Sequence, residues 1–203
     1  MSDIREAKDY LKEWGFPAQV SSDPIHLHRL PEVDSIDWKP FMLIFGDYCT
    51  GKTTLAANKL YHDYVAACSV GKHLMMGSRF DTLDLVEILC LADKIGLARA
   101  CDQSMGGEGS GERLQNDIEG VLECHWGELL ILDDFNIDAV SNELQLKKIN
   151  KVVMARFMQN RPTWLITNET PEALAEVFPR LMSRVDHDDK WAMVEKTHFA
   201  SKL

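Results

Sequence analysis

No apolar run in this chain approaches the roughly 20 residues needed to cross a bilayer as a helix. The opening Met1-Ser2-Asp3-Ile4-Arg5-Glu6 lacks the basic-then-apolar order of a secretory leader. A helical membrane protein is excluded, and the expectation is a cytoplasmic chain that begins here. There is no C-x-x-C pair. The five cysteines, at 49, 68, 90, 101 and 124, are scattered and odd in number, which fits reduced thiols rather than a disulfide framework or a structural zinc site. Cys124-His125 are adjacent but would need distant partners to hold a metal. Basic charge is also short. Twenty-two Lys and Arg face 32 Asp and Glu, and the net charge of −10 argues against a broad nucleic-acid-coating surface while leaving room for a local basic patch. No internal repeat is detectable, and the closing Ser201-Lys202-Leu203, a match to a peroxisomal address, is read as chance. With 203 residues, 45% hydrophobic and 27% charged, the composition is that of one folded domain with a real core and a short extension.

What is present is a phosphate-binding loop in its proper setting. The apolar run Phe41-Met42-Leu43-Ile44-Phe45 empties into Gly46-Asp47-Tyr48-Cys49-Thr50-Gly51-Lys52-Thr53, and Leu55 to Ala67 follows as a helix-forming run. This is a Walker A motif. Its glycines let backbone N–H groups curl around phosphates, Lys52 reaches the β/γ-phosphates, and the Thr53 hydroxyl is placed for Mg²⁺. The helix that follows adds its positive N-terminal dipole. Residues 46 to 54, Thr54 included, are the candidate ATP-binding set.

The first forty residues differ from the rest. Asp3 to Trp14 reads as a short amphipathic helix offering Ile4, Tyr10, Leu11 and Trp14, stopped by Gly15 and Pro17. The segment through Pro40 is turn-rich. Residues 1–40 therefore read as an arm, packed on the core or presented to a partner, and 41–203 as the main domain. Packing is the simpler reading, because short isolated helices are marginal in water. From Phe41 onward, candidate strands at 41–45, 73–77, 129–132, 164–167 and 191–194 alternate with helical patterns near 52–69, 81–97, 112–124, 141–159 and 171–184. The helix at 112–124 places Leu114, Ile118, Val121 and Leu122 on one face. This order predicts an α/β fold with a parallel sheet covered on both sides. Met105 to Gly111 reads as a surface loop. It has no lysine and so is not a second phosphate loop.

A second motif bears on nucleotide chemistry. Leu129-Leu130-Ile131-Leu132-Asp133-Asp134 is an apolar strand ending in two carboxylates, which resembles a Walker B element. At the C-terminal edge of a parallel sheet Asp133 would face the phosphate loop and hold Mg²⁺ through water. Asp134 either orients or deprotonates an attacking water, or caps the following turn.

Walker A, this Walker B element and Trp164-Leu165-Ile166-Thr167-Asn168 together resemble the core of an AAA+ ATPase. The resemblance implies a three-layer P-loop sandwich with a five-stranded parallel sheet. Asn168 matches the polar residue that senses the γ-phosphate, although an Asn there could also cap the helix beginning near Pro171. Pro171-Glu172-Ala173-Leu174 and Arg180-Leu181-Met182-Ser183-Arg184-Val185 are similar to the arginine-finger stretch of the DnaC and IstB branch. This makes Arg184 the better candidate for a finger reaching a neighbouring subunit's ATP, with Arg180 in reserve; a surface role on an amphipathic helix is the alternative for both.

From about Phe41 to Val194 the likeness is to DnaC-type replicative helicase loaders, with two departures to note. There is no room for the C-terminal helical lid of fuller AAA+ proteins, which DnaC-type proteins also largely lack and for whose arginine Lys196 or Lys202 would have to substitute, and the N-terminal arm is much shorter than the helicase-binding domain typical of cellular loaders. The resemblance implies ATP and Mg²⁺ as cofactors, self-association and a DnaB-type hexameric helicase as partner. Ile4, Tyr10, Leu11 and Trp14 are the candidate helicase anchors. Single-stranded DNA would be met weakly, with Lys147, Lys148, Lys151 and Arg156 forming either the DNA-facing stretch or a solvated helix face. The alternatives are an IstB-like transposition ATPase, disfavoured by the acidity, and a nucleotide-binding regulator with slow or no hydrolysis, kept open by Asp134 in place of the longer Glu. A small-molecule P-loop kinase is disfavoured because 101–111 contains no lid arginine. Asp186-His187-Asp188-Asp189 reads as a charged turn rather than a metal site.

Overall fold

A computed structural model describes residues 4–71, 77–106, 111–123, 129–137 and 142–197. In chain order the elements are α1 (Ile4–Glu13), α2 (Ala18–Ser21), a 3₁₀ turn (Pro24–Leu27), α3 (Pro31–Ser35), β1 (Phe41–Phe45) and α4 (Lys52–Ser69). Then come β2 (Gly77–Asp81), α5 (Thr82–Ile95), α6 (Leu97–Met105), α7 (Glu112–Glu123), β3 (Leu129–Asp133) and α8 (Glu143–Met158). The chain continues through β4 (Thr163–Ile166), α9 (Pro171–Val177), α10 (Pro179–His187) and β5 (Trp191–Glu195). The five strands form one sheet in the order β2-β3-β4-β1-β5, and every pairing is parallel.

Strand side chains alternate between two separate cores, as the two-residue period of a strand requires. Phe41, Leu43, Leu130, Leu132 and Leu165 enter a core with residues of α5, α8, α9 and α10. Met42, Ile44, Leu129, Ile131, Trp164 and Ile166 enter the opposite core with Ala56, Ala57, Leu60 and Tyr61 of α4 and Ala7 and Leu11 of α1. The result is the expected three-layer α/β sandwich, apolar on both sheet faces.

The helix starts follow local chemistry. The Asp81 carboxylate accepts from the Leu83 N–H at 3.1 Å, Asn142 accepts from Gln145 N–H at 3.0 Å, and Thr170 accepts from Ala173 N–H at 3.3 Å, with Pro171 in the first helical position. Thr170, not Asn168, is thus the cap of α9.

Three boundaries depart from the sequence reading. The strand expected at 73–77 is found at Gly77–Asp81; residues 73–76 lie outside the described residues. The single helix expected at 171–184 is two, α9 and α10, separated at Phe178 (φ −121°, ψ 55°) because the residue before Pro179 is kept out of the helical region. α10 then carries the chain through Asp186 and His187, so only the second half of the charged quartet forms the turn. Among the described residues no cluster of three or more His, Cys, Asp or Glu is placed to hold an ion. The third departure is that α5 stops at Ile95, with Gly96 as its cap, and a separate helix, α6, occupies Leu97–Met105, a stretch to which the sequence assigns no element apart from the start of the loop at Met105.

The arm is packed down. Leu11 is fully buried and Trp14 nearly so, both against the sheet, and Tyr10 stacks on Tyr64 with ring centroids 4.1 Å apart. Asn58 of α4 ties down the next stretch, accepting from the Leu30 N–H at 2.9 Å and donating to the His28 carbonyl at 2.9 Å. Leu11 and Trp14 are therefore structural core and not anchors offered to a helicase. Ile4 is the first described residue, and its side chain lies outside the description. Leu11→Ala is expected to cost about 2–5 kcal/mol of folding stability, read from urea or guanidinium unfolding; a loss within experimental scatter would mean that the arm is not part of the core.

Candidate active site

Because all five strands run the same way, their C-terminal ends share one edge, and the loops leaving β1, β3 and β4 meet there. The sheet order sets β4 between β1 and β3, so whatever follows β4 lies between the loop after β1 and the end of β3. Gly46 opens the loop at φ +137°; a Cβ there would lie 2.2 Å from the Lys196 carbonyl oxygen, so no larger residue fits. Cys49 also has positive φ, +61°, and is exposed. The Thr50 hydroxyl donates to the Asp47 carbonyl at 2.9 Å and closes the turn.

Lys52 is 6% exposed and its ammonium is threaded back through the loop. It donates at 2.7 Å to each of three oxygens, the carbonyls of Gly46 and Asp47 and the Asn168 Oδ1. Burial pushes its pKa below the ordinary lysine value, opposed by the carboxylates of Asp133, Asp134 and Asp47. All three acceptors are neutral, so a phosphate brought here would be the ammonium's first directly bonded anion among the groups it touches.

Thr53 donates to both oxygens of Asp133, at 3.1 and 3.0 Å, and the Asp134 N–H donates to Asp133 Oδ1 at 3.1 Å. Asp133 is 5% exposed. A hydroxyl oxygen beside a buried carboxylate is a hard oxygen donor set that suits Mg²⁺, an ion that characteristically takes one or two protein oxygens and completes its shell with water and phosphate. Thr53 and Asp133 fit that ion and would hold it there, phosphate oxygens supplying what the protein does not.

Asp134 is exposed, with φ +51°. Its Oδ1 accepts from Asn168 Nδ2 at 3.2 Å and from Asn136 Nδ2 at 3.3 Å. Asn168 thus bridges Lys52 and Asp134 with the two ends of one amide. Asn136, absent from the sequence reading, is the bracket behind it: its Oδ1 accepts from the Asn168 N–H at 3.0 Å and the Thr167 hydroxyl at 3.2 Å. An Asn two residues after a strand-end carboxylate pair is the only signal the sequence held.

A cleft of about 360 Å³ opens between these groups, lined by Tyr48 to Thr54, Asp133, Asp134 and Asn168, and also by Val20 from the arm. The structure brings together every candidate residue of the phosphate loop, both carboxylates and Asn168. Arg180 and Arg184 are not among them. Both are exposed on α10, and the Arg184 guanidinium lies 6.0 Å from the Phe157 ring centre.

Two further candidates are corrected. Arg156 is 1% exposed, donating to the Thr163 hydroxyl and the Pro162 carbonyl at 3.1 Å each, so it belongs to the core and not to a DNA-facing stretch. On the same helix Lys147 pairs with Glu143 and Lys148 with Asp93, which neutralises much of what remains. Lys196 is held by Glu32 at 2.9 Å, which ties this candidate lid substitute to the arm. Lys202 lies outside the described residues.

No protein-family model matches the chain, and no curated protein matches it either. Among solved structures it is similar to AMPPCP-bound DnaA from Aquifex aeolicus, with 18% identity, a TM-score of 0.49, and coverage of 81% of this chain and 43% of that one. It is also similar to a chain of the Drosophila ORC assembly bound to poly(dA/dT) DNA and Cdc6, with 12% identity, a TM-score of 0.43, and coverage of 97% and 32%. The chain spans less than half the length of either. The strand order and the phosphate loop at the C-terminal end of β1 give the fold. This is a three-layer α/β sandwich with a phosphate-binding loop.

In such a sandwich the two loops after β3 and β4 must keep a fixed spacing, and the Asn136 side chain spans them alongside those of Asn168 and Glu169. Asn136→Ala is expected to release Asn168 and Asp134 together. The measurement is amide hydrogen exchange at 134–137 and 167–169, which should speed up in the variant while β1 stays protected; unchanged exchange in both segments would show that the other contacts between the loops hold them without Asn136.

Proposed function

We propose that this chain is a Mg²⁺-dependent ATPase that works as an assembling switch in DNA replication, most specifically as a loader for a DnaB-type hexameric helicase. The observation that carries the nucleotide reading is the continuous polar line Asp133–Thr53 and Lys52–Asn168–Asp134 along the edge of a Gly46–Gly51 cradle. The cradle and the N-terminus of α4 would take the β- and γ-phosphates, with Lys52 turning its donors from loop carbonyls to phosphate oxygens. Magnesium would supply charge neutralisation across the two phosphates. Asp134 would orient the attacking water, and Asn168, already bonded to both Lys52 and Asp134, would relay the presence of a γ-phosphate to the carboxylate.

Arg184 on α10 would complete a neighbour's site and so couple assembly to nucleotide state. Its exposure and its absence from the lining of its own subunit's cleft are what a residue acting in trans requires. The helicase-loader assignment rests on the likeness of the Pro171–Val185 stretch and the motif order to the DnaC branch. The regulator reading is kept for one reason: Asp134 is a short carboxylate already engaged by two amides, a poorer base than an unencumbered Glu.

Two variants separate binding from chemistry. Lys52→Ala should weaken Mg²⁺-ATP binding by about tenfold or more, measured by calorimetry, whereas Asp134→Asn should bind ATP and fail to hydrolyse it in the assembled state. Equal binding by Lys52→Ala would overturn the phosphate-loop assignment, and hydrolysis undiminished in Asp134→Asn would remove that carboxylate from the mechanism.

The partner is tested by mixing the native protein with a DnaB-type helicase, with and without Mg²⁺-ATP, and reading stoichiometry by native mass spectrometry. A defined complex with the hexamer is expected, its ATP-dependent form lost in Arg184→Ala. No complex under either condition would end the loader reading and leave the transposition ATPase ahead.

A further inference from the structure

Arg79, in the middle of the polar edge strand β2, has no place in the scheme above, yet it makes the shortest bond to the magnesium-site carboxylate. Its Nε and Nη2 donate to Asp133 Oδ2 at 3.0 and 2.7 Å, and Nη1 donates to the Gly15 carbonyl at 3.1 Å. Its backbone N–H donates to the Trp14 carbonyl at 2.8 Å. The turn it grips is tight. Gly15 has φ +87°, a Cβ there would lie 2.6 Å from the Arg79 carbonyl oxygen, and the Phe16 ring centre is 5.9 Å from the guanidinium. The side chains of Arg79 and Asp133 are 14% and 7% exposed, so the pair is little screened by solvent.

The Asp133 carboxylate does not need Arg79 for its orientation. Thr53 donates to both oxygens and the Asp134 N–H to Oδ1, which already fixes the plane. What Arg79 adds is a permanent positive charge and two donors on one oxygen. Both act against a cation approaching the same carboxylate. The first repels it, and the second takes up lone pairs that a metal-bound water would use. Because the guanidinium's third contact and the strand's own N–H are fixed by residues 14 and 15, the position of the arm decides how firmly Arg79 sits on Asp133.

We propose that Arg79 is a positioning residue that holds down the magnesium affinity of the Thr53–Asp133 site, and that the Trp14–Phe16 turn of the N-terminal arm sets how strongly it does so. This rests on the nucleotide reading above. It makes the arm a control element: whatever shifts the turn loosens Arg79 and admits the metal more readily.

The test compares ATP affinity with and without Mg²⁺ in the full chain, using a fluorescent ATP analogue, and takes the ratio of the two for each protein. Arg79→Gln, which removes the charge, should raise that ratio by about fivefold or more. Arg79→Lys, which keeps the charge but not the fork, should stay close to native. Gly15→Ala, which forces the turn away from the Arg79 carbonyl, should move the ratio in the same direction as Arg79→Gln. A ratio unchanged in Arg79→Gln alongside a lowered Tm would reduce the pair to a structural salt bridge and overturn the proposal, as would a lowered ratio. A Gly15→Ala ratio equal to native would remove the arm from it.

A second readout needs no turnover. The Arg79 Nε–H resonance, assigned by its loss in Arg79→Lys, should shift when Mg²⁺ is added to the ATP-bound protein. A resonance that stays in place would count against any contact between Arg79 and the metal site. If the native protein binds no ATP at all, the nucleotide reading itself has failed and this inference falls with it, an outcome distinct from a native protein that binds ATP and variants that leave the ratio alone.

Discussion

A carboxylate that is almost fully withdrawn from water is the constraint from which the rest of this site follows. Asp133 ends a strand whose five residues are all buried, and an isolated ion there would be costly unless nearly every lone pair were occupied. The protein meets that demand from three directions. The Thr53 hydroxyl comes from the helix after the phosphate loop, the guanidinium from the neighbouring strand, and a backbone N–H from the residue that follows. Satisfying one charge therefore fixes the relative positions of β1, β2 and β3. The architecture and the site are one problem: the loop carrying Thr53 and Lys52 cannot move far without stranding Asp133.

The other half of the site depends on strand order. Only with β4 between β1 and β3 can a residue following β4 touch both the lysine of one loop and the carboxylate of the other. Asn168 does so through opposite ends of a single amide, and an amide suits the task because it donates at one end and accepts at the other. A carboxylate in its place would pair with Lys52 and repel Asp134. The chemistry of residue 168 is thus dictated by its two neighbours, which makes a neutral polar residue there intelligible without appeal to family patterns.

Much of this could be read from the chain, and the exceptions share a cause. The apolar runs at 41–45 and 129–133 and the sequence Gly46 to Thr53 announce themselves because their residue types have few other uses in that order. β2 did not, since Gly-Ser-Arg-Phe-Asp is an edge strand with one large apolar side chain and a charge turned to a partner 54 residues away. Arg156 misled for the complementary reason. In a run with Lys147, Lys148 and Lys151 it looks like part of a basic face, yet it is buried on Thr163 and Pro162. Periodicity shows which face of a helix is apolar; it cannot show that a guanidinium on that face has found neutral oxygens. The split of 171–184 into α9 and α10 was within reach, because Pro179 is visible and its effect on Phe178 is local.

The arm shows how a segment that reads as an appendage becomes part of the site. Its apolar residues look available for a partner because, seen alone, a ten-residue helix has nothing to bury them against. In the fold, Ala7, Leu11, Trp14 and Phe16 complete the core under one face of the sheet, Val20 lines the cleft, and Glu32 engages Lys196 beside the first glycine of the phosphate loop. A partner cannot withdraw Leu11 or Trp14 without opening that core, and a move of the turn at 14–16 is transmitted through Arg79 to Asp133. On the arm, the surface a partner could use without opening that core is its outer side. Any message delivered there has a short path, of two hydrogen bonds and one ion pair, to the carboxylate on which the site is built.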